Sequence, residues 1–234
     1  MDNYEKTKSI LWGNSDITQE SANKALQLLC ERKIDFGDLF FERVVSESFS
    51  LEESIVKGGS FNISQGVGVR AIDGTKSGFA YSDVLDNKSL YEACSAAHSI
   101  SKGHNCNGIN INKGVKKTNA LYVSDPIFSM NRSQKAKILE ILNAEARALD
   151  PRVVQVMAGL SCTHRTTLVM PTDNPSRYDI KPMVHLSVSV VMEKDGRREV
   201  GYASAGGAIL LDELLKNNSL KDLAKEAVRI ASVN

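Results

Sequence analysis

The chain has 234 residues, of which 42% are hydrophobic and 24% are charged, and both values are close to the averages for globular proteins. Its 29 basic and 28 acidic residues give a formal net charge of +1, so the sequence offers no strong field for binding nucleic acid or an anionic membrane. This length and composition predict a folded protein with a large core, and they argue against a disordered or fibrous chain.

The N-terminal eleven residues do not resemble a secretory signal, because charged residues interrupt the apolar ones and no small-residue cleavage site follows. No run of about 18 apolar residues occurs, so the sequence predicts no membrane-spanning helix. The four cysteines, Cys30, Cys94, Cys106 and Cys162, are widely scattered and are most simply interpreted as thiols in a reducing compartment. These features predict a soluble cytoplasmic protein.

The first hundred residues predict two helices, a run of strands and a third helix. Apolar residues at helical spacing indicate amphipathic helices at residues 4–11, 18–33 and 87–101. Between the second and third helix, a texture rich in β-branched and aromatic residues predicts antiparallel strands at 39–45, 49–56, 61–72 and 77–82. Asp73-Gly74 predicts a type I′ hairpin before the last strand, because that turn needs positive φ at both central residues.

The rest of the chain predicts a loop, a helix, strands and a terminal helix. Residues 103–120 are rich in Asn, Lys and Gly, which indicates an exposed loop and a sub-boundary within the domain. Asn131 and Gln134 form a capping-box pattern at the start of a helix over 131–149. Further strands are expected at 152–170, 184–192 and 200–204, with an Asp195-Gly196 turn, and a last helix at 219–233.

The predicted elements repeat once along the chain. Helix, sheet with an Asp-Gly hairpin, and helix occur in that order in each half. The returning strands also read alike, as Gly78-Phe79-Ala80-Tyr81-Ser82 and Gly201-Tyr202-Ala203-Ser204. A weak internal duplication and a shared strand-and-turn habit explain this likeness equally well. The sequence predicts an α+β fold with antiparallel sheets packed against amphipathic helices and two similar halves.

One group of side chains has the residue types that zinc prefers. Cys94, His98, His104 and Cys106 are spaced as Cys-x3-His-x5-His-x-Cys, and the first two would share a helix face. The spacing matches no familiar zinc module, and the last two lie in the Asn-rich loop. The favoured interpretation is that these residues form no site, with zinc kept as the weaker hypothesis.

The segment from Gly66 to Ala71 satisfies a loose dinucleotide-binding pattern, Gly-x-Gly-x-x-Ala. That motif must leave a strand and open a helix, whereas here Gly66 and Gly68 lie within a predicted strand that runs into a hairpin. The two glycines are better interpreted as a bulge or as a place where another backbone comes close.

Other polar groups carry no recognisable catalytic pattern. Short basic groups, at Lys113, Lys116, Lys117 and Arg197-Arg198, lack interleaved aromatic residues and are expected on the solvated surface. Carboxylates such as Glu47, Glu52, Glu53 and Asp83 show no acid–base pairing. None of the four histidines, His98, His104, His164 and His185, precedes a glutamate, so the helical zinc-peptidase pattern is absent from this sequence.

Several stretches together resemble the N-terminal region of the TldD/PmbA metallopeptidase family. The likeness is carried by Asp35-Phe36-Gly37-Asp38-Leu39-Phe40-Phe41-Glu42, Lys57-Gly58-Gly59-Ser60-Phe61-Asn62-Ile63, Gln65-Gly66-Val67-Gly68-Val69-Arg70-Ala71-Ile72 and Gly78-Phe79-Ala80-Tyr81-Ser82-Asp83. It recurs at residues 184–196, 205–207 and 224–229, so nearly the whole chain is covered. Residues 103–117 and 163–179 are least similar.

The resemblance implies a cytoplasmic peptidase subunit that pairs with a TldE/PmbA-like partner and cleaves small or unfolded polypeptides. An association with DNA gyrase control also attaches to the family. Its zinc motif, His-Glu-x-x-x-His with a later Cys, belongs to a C-terminal half, and this chain stops at Asn234 before that half would begin. The resemblance therefore assigns no catalytic, metal or cofactor residue to any position here.

These expectations define one TldD-type N-terminal domain over residues 1–234. The resemblance implies that it contributes dimerisation and substrate enclosure rather than catalysis, with any zinc held in the C-terminal half. The alternative is a non-catalytic binding or assembly module, or the remnant of a shortened gene. Strand edges suit a peptide-enclosing role, because main-chain hydrogen bonds bind peptides without demanding a sequence.

Overall fold

A computed structural model describes residues 2–31, 33–99, 114–116 and 125–233. Six helices and six strands lie in these ranges, which matches the predicted α+β fold. The expected loop and sub-boundary at 103–120 fall outside the described residues except for 114–116. There Val115 forms an isolated parallel bridge with Ser176.

The elements follow one another in two similar runs. The helices are α1 (Asn3–Trp12), α2 (Gln19–Leu29), α3 (Asn87–His98), α4 (Arg132–Leu149), α5 (Leu211–Asn217) and α6 (Leu220–Val233). The strands are β1 (Phe36–Glu52), β2 (Ile55–Asp73), β3 (Lys76–Ser82), β4 (Val153–Pro171), β5 (Arg177–Lys194) and β6 (Arg197–Gly207). The order of the strands in the antiparallel sheet is β3-β2-β1-β4-β5-β6.

Helix starts are set by side chains that accept hydrogen bonds from the first turn. The capping box predicted at α4 is present, with Gln134 N donating to Asn131 Oδ1 at 2.9 Å and Asn131 N donating to Gln134 Oε1 at 3.0 Å. Thr18 caps α2 in the same reciprocal way through Ser21. Asp86 Oδ1 accepts from Ser89 N at 2.7 Å and caps α3. These bonds satisfy backbone N–H groups that have no partner inside a helix.

The prediction of three separate strands between residues 39 and 72 is wrong, because the chain forms two long strands there. β1 continues to Glu52, and the predicted strand 49–56 is interrupted by a turn at Glu53 and Ser54. Both turn residues have positive φ, 51° and 62°. Neither is Gly, Asn or Asp, the residue types that usually mark such a turn, so no residue type predicts a turn at this position. Helix α5 was not predicted either.

The two Asp-Gly segments form different turns. Asp195 and Gly196 both have positive φ, 53° and 77°, between the paired residues Lys194 and Arg197. In the first hairpin Asp73 pairs with Lys76, so the central residues are Gly74 and Thr75, and φ is positive at Gly74 alone. That pattern fits a type II′ turn, in which glycine occupies the first central position.

The chain divides into two compact units. Unit 1 comprises Met1–Val44, Ile63–Val123 and Arg165–Ile180, and unit 2 comprises Val45–Asn62, Ser124–His164 and Lys181–Asn234. In unit 1, α2 packs on α3 and α3 packs on β3. Its core includes Trp12, Leu26, Phe41, Val69 and Leu90, with the rings of Trp12 and Phe41 in edge-to-face contact at 5.4 Å.

Unit 2 has a core of its own, in which α6 packs against α4 and β6. The alternating apolar positions of β5 all point into it, as the sequence predicted: Val184, Leu186, Val188, Val190 and Met192 are buried. The opposite, half-exposed side of β5 carries serines.

None of the described helices combines the length and apolar character that crossing a membrane requires.

Candidate functional site

The β1-β2-β3 part of unit 1 has a core face and an outward face. Alternation along the strands sends Leu39, Phe41 and Val69 into the core. The intervening residues point outward and leave large rings in solvent: Phe40 is 40% exposed, Phe79 67% and Tyr81 78%. Three exposed aromatic rings on neighbouring strands are unusual, and surfaces of this kind commonly mark interaction sites.

A groove of about 340 Å³ lies on this outward face, and two glycines form its floor. A Cβ built on Gly66 would lie 2.7 Å from the Ser82 carbonyl oxygen, and one on Gly68 would lie 3.3 Å from the ring of Phe79. Phe40, Phe79 and Tyr81 line the groove, and the last two rings stack with centroids 6.5 Å apart. Any larger residue at Gly66 or Gly68 would fill or displace this arrangement.

The charged residues that line the groove are both acidic, Glu42 and Asp83. Arg165 adjoins it, with its Nε 3.5 Å from Glu42 Oε1, and its side chain is 56% exposed. A second ion pair on the same strands, Arg70 to Asp38 at 2.6 Å, lies outside the groove lining. That bond raises the pKa of Arg70, chiefly through hydrogen bonding to Asp38, and fixes a charge pair on the outward face.

Unit 2 holds a buried ion pair. Lys135 Nζ, fully buried, lies 2.5 Å from Glu47 Oε2 and also donates to the Ile127 carbonyl. Arg132 Nε donates to the other oxygen of Glu47 at 3.0 Å. Both Glu47 oxygens are thus held by cations from the first turn of α4. This arrangement joins β1 to α4 within the unit and has the character of a structural brace.

A histidine and a cysteine lie in the same unit. His164 is 4% exposed, and its Nδ1 is 3.7 Å from Asp125 Oδ2. Burial raises the pKa of the Cys162 thiol to about 11, so this sulfur is protonated and a poor nucleophile at neutral pH. Burial also raises the pKa of Cys30 to about 11 and that of Cys94 to about 12.

The structure describes two of the four residues of the hypothetical zinc cluster. Cys94 is buried in α3, where its thiol faces the core, and His98 is at the end of the same helix. His104 and Cys106 fall outside the described residues. Among the residues that are described, no three His, Cys, Asp or Glu side chains are close enough to hold a metal ion. The zinc hypothesis for the four residues therefore stays a prediction, and no metal-dependent step is assigned to it.

The other sequence candidates lie apart from one another. The segment Gly66–Ala71 is inside β2 and pairs with β3, with Gly68 opposite Tyr81. Arg197 and Arg198 are exposed and pair with Glu199 and Glu193. Lys113 and Lys117 are outside the described residues, whereas Lys116 N donates to the Ser176 carbonyl at 2.9 Å.

The carboxylates named in the sequence analysis lie in four different surroundings. Glu47 is buried, Glu53 pairs with Lys57 at 3.5 Å, Glu52 is exposed and Asp83 lines the groove. His185 is exposed on β5. The groove itself was not predicted, because it combines residues of three strands. Alternation of exposed aromatics with buried residues, read together with Gly66 and Gly68, was the signal that could have found it.

Two family models match the chain. Residues 37–101 match PmbA/TldA metallopeptidase domain 1, and residues 125–234 match the PmbA/TldA metallopeptidase central domain. A curated relative from Haemophilus influenzae, named Metalloprotease TldD homolog, is 38% identical over 226 residues, which is 94% of this chain and 47% of the relative. The chain spans about half the length of the curated relatives it matches.

Solved structures share the fold at low sequence identity. A Thermotoga maritima protein named as a candidate modulator of a DNA gyrase has a TM-score of 0.71 at 14% identity, over 92% of this chain and 47% of that one. TldE from Thermococcus kodakarensis has a TM-score of 0.66 at 15% identity, over 90% of this chain and 47% of that one. Since the two family models together match well over half of the sequence, the chain belongs to the PmbA/TldD metallopeptidase family.

Proposed function

We propose that this chain is the N-terminal part of a TldD-like zinc metallopeptidase and contributes dimerisation and substrate enclosure rather than catalysis. The observation that carries the proposal is the match of both its halves to domain 1 and the central domain of a metallopeptidase family. The zinc and the catalytic residues would come from protein outside this chain. The proposal places the assembly in the cytoplasm, with small or unfolded peptides as substrates.

The proposed partner is a TldE/PmbA-like subunit. The fold that this chain shares with TldE from Thermococcus kodakarensis supports this choice. The open outward face of β1-β2-β3, with its exposed rings, supports a role in contacting other polypeptides.

Two measurements on the purified 234-residue chain test the proposal. Incubated with peptides and added zinc, it should show no hydrolysis that a chelator abolishes. Mixed with a TldE-like subunit, it should co-elute in size-exclusion chromatography. Chelator-sensitive proteolysis by the pure chain would contradict the assignment of catalysis to other protein, and failure to co-elute would contradict the proposed pairing.

The alternative is a free-standing binding or assembly module, or the remnant of a shortened gene. The reading frame after Asn234 separates it from the main proposal. An in-frame continuation that encodes His-Glu-x-x-x-His supports the metallopeptidase subunit, and an immediate stop codon supports the module.

A further inference from the structure

The groove on β1, β2 and β3 combines three features that seldom occur together on a solvated sheet. Its floor is made of Gly66 and Gly68, its walls are aromatic rings, and its charged lining residues are Glu42 and Asp83. Each feature separately has an ordinary explanation. Their convergence in about 340 Å³ gives a concave surface with defined chemistry.

The charge of the residues that line the groove favours a cationic ligand. Arg165 pairs with Glu42 at 3.5 Å. Among the described residues, no basic side chain lines the groove and no cation pairs with Asp83. Carboxylates beside exposed aromatic faces favour a cation, because a ring face attracts positive charge and a carboxylate adds a Coulomb term. An anionic ligand would meet two carboxylates and is disfavoured.

The position of β3 at the edge of the sheet indicates which kind of molecule carries the cation. β3 is the first strand in the sheet order, and no described strand pairs with its outer edge. An extended polypeptide can add to such an edge through main-chain hydrogen bonds. Alternate side chains of the added strand would then point to the groove face, as Phe79 and Tyr81 do on β3.

We infer that this groove binds a lysine or arginine side chain of an extended polypeptide whose main chain lies along the outer edge of β3. The aliphatic stem lies across the ring of Tyr81 and the charged end reaches Asp83, while Glu42, on β1, adds to the negative potential of the groove from a greater distance. The inference rests on the proposed function in one respect, since it names the class of polypeptide that the chain would receive.

Isothermal titration of the whole 234-residue chain with capped seven-residue peptides tests the inference. The peptides alternate threonine and valine and differ only at the centre, which is lysine, norleucine or glutamate. The lysine peptide should bind at least about tenfold more tightly than the other two, and its affinity should fall as NaCl is raised. Equal affinity for lysine and norleucine, or no binding of the lysine peptide, would overturn the inference.

Amino-acid substitutions test whether the peptide binds at the groove. Tyr81→Ala and Asp83→Asn should each weaken the lysine peptide about two- to fivefold, and Gly68→Val should abolish binding by filling the floor. Both single-site surface variants change exposed side chains, so they remain informative if Gly68→Val does not fold. Tyr202→Ala removes another exposed tyrosine, on β6, and should leave the affinity unchanged.

The opposite pattern, in which Tyr202→Ala weakens binding and Tyr81→Ala does not, would overturn the assignment to this groove. Lysine amide serves as the free cation, and it should bind more weakly than the peptide, since it cannot pair with β3. Equal binding of the two would overturn the role of the strand edge. Peptide binding and co-elution with a TldE-like subunit are separate readouts, so the groove and the proposed function can fail independently.

Discussion

Lys135 shows how a charged residue can belong to a helix's core face. It lies one turn before Ile138 and Leu139 on the buried side of α4, and the sequence pattern alone marks it as an interruption of the apolar stripe. Burial of an ammonium group is costly unless a counter-charge and hydrogen bonds accompany it. Glu47 and the Ile127 carbonyl supply these, and Glu47 comes from a strand 88 residues away in the chain.

Removal of Glu47 should therefore be far more harmful than removal of its exposed partner. Glu47→Leu leaves Lys135 buried without a counter-charge and should lower the free energy of unfolding by about 3–5 kcal/mol. Arg132→Ala, which removes a side chain 72% exposed, should cost about 0–1 kcal/mol. Urea unfolding measures both. The double variant Glu47→Leu/Lys135→Met should recover most of the lost free energy of unfolding. No recovery would contradict the structural role of the Lys135–Glu47 ion pair.

Asp86 makes the stability depend on pH. Hydrogen bonds from Ser89 hold the pKa of this helix cap below its ordinary value of 3.8. Because the folded-state pKa is the lower one, the charged cap stabilises the fold above the unfolded-state pKa. That contribution disappears as pH falls through the folded-state value.

The comparison with Asp86→Asn isolates this charge, since asparagine caps a helix about equally well but does not titrate. The wild-type protein should melt at a higher temperature than the variant at neutral pH. The difference should shrink as the pH is lowered below the ordinary pKa of aspartate, because the depressed folded-state pKa of Asp86 is approached there. A constant difference in melting temperature over that range would contradict the role of the Asp86 charge.

At the scale of elements, the sequence predicts what local chemistry controls. The capping box of Asn131 and Gln134 and the alternation of β5 were readable because each depends on residues close in the chain. The turn at Glu53 and Ser54 was not, since both residues adopt positive φ that their side chains do not favour. Pairing of β1 with β2 accompanies that turn, and neither residue of the turn signals it locally.

Gly201 is required by how closely α6 approaches β6. A Cβ at this position would lie 1.9 Å from the Ala227 carbonyl oxygen and 2.6 Å from the Ala231 N. Both neighbours are backbone atoms of α6, so the helix itself would have to move. Small residues on both elements thus permit a backbone-to-backbone contact.

Gly201→Ala should lower the free energy of unfolding by about 1–3 kcal/mol, because it overpacks this contact. Gly207→Ala is the matched control on the same strand, since a Cβ there meets nothing within 4 Å. It should change stability by less than about 0.5 kcal/mol. Thermal or urea unfolding of the two variants measures both changes in stability. Equal changes would show that the contact with α6 does not restrict the residue at position 201.

At the scale of the whole molecule, the strand order was beyond local sequence reasoning. Strands that are consecutive in the chain lie next to each other within β1–β3 and β4–β6, but β1 next to β4 joins segments about a hundred residues apart. Local sequence reasoning did not predict the groove for the same reason, since its lining comes from β1, β2 and β3 together. Resemblance to a family gave the fold class a second support that composition and periodicity could not provide.

Helix α6 packs against other elements of its own unit. Its buried residues are Ala224, Ala227, Val228 and Ala231, and they pack on α4 and β6 within unit 2. The alanines and Val228 are thus covered within the unit, while Leu220, Leu223 and Ile230 of the same helix are partly buried. Burial of this face should contribute to the stability of the unit in proportion to its apolar area.

The chain shortened to residues 1–218 should therefore unfold at a lower urea concentration than the full chain and bind a hydrophobic dye, because β6 and α4 lose their cover. Val233→Ser, which alters a side chain 68% exposed at the end of α6, is the control and should change the free energy of unfolding by less than about 0.5 kcal/mol. Equal midpoints for the shortened and full chains would mean that α6 adds nothing to the fold. That result would also remove the backbone contact as the reason for Gly201, so both predictions stand on the same packing.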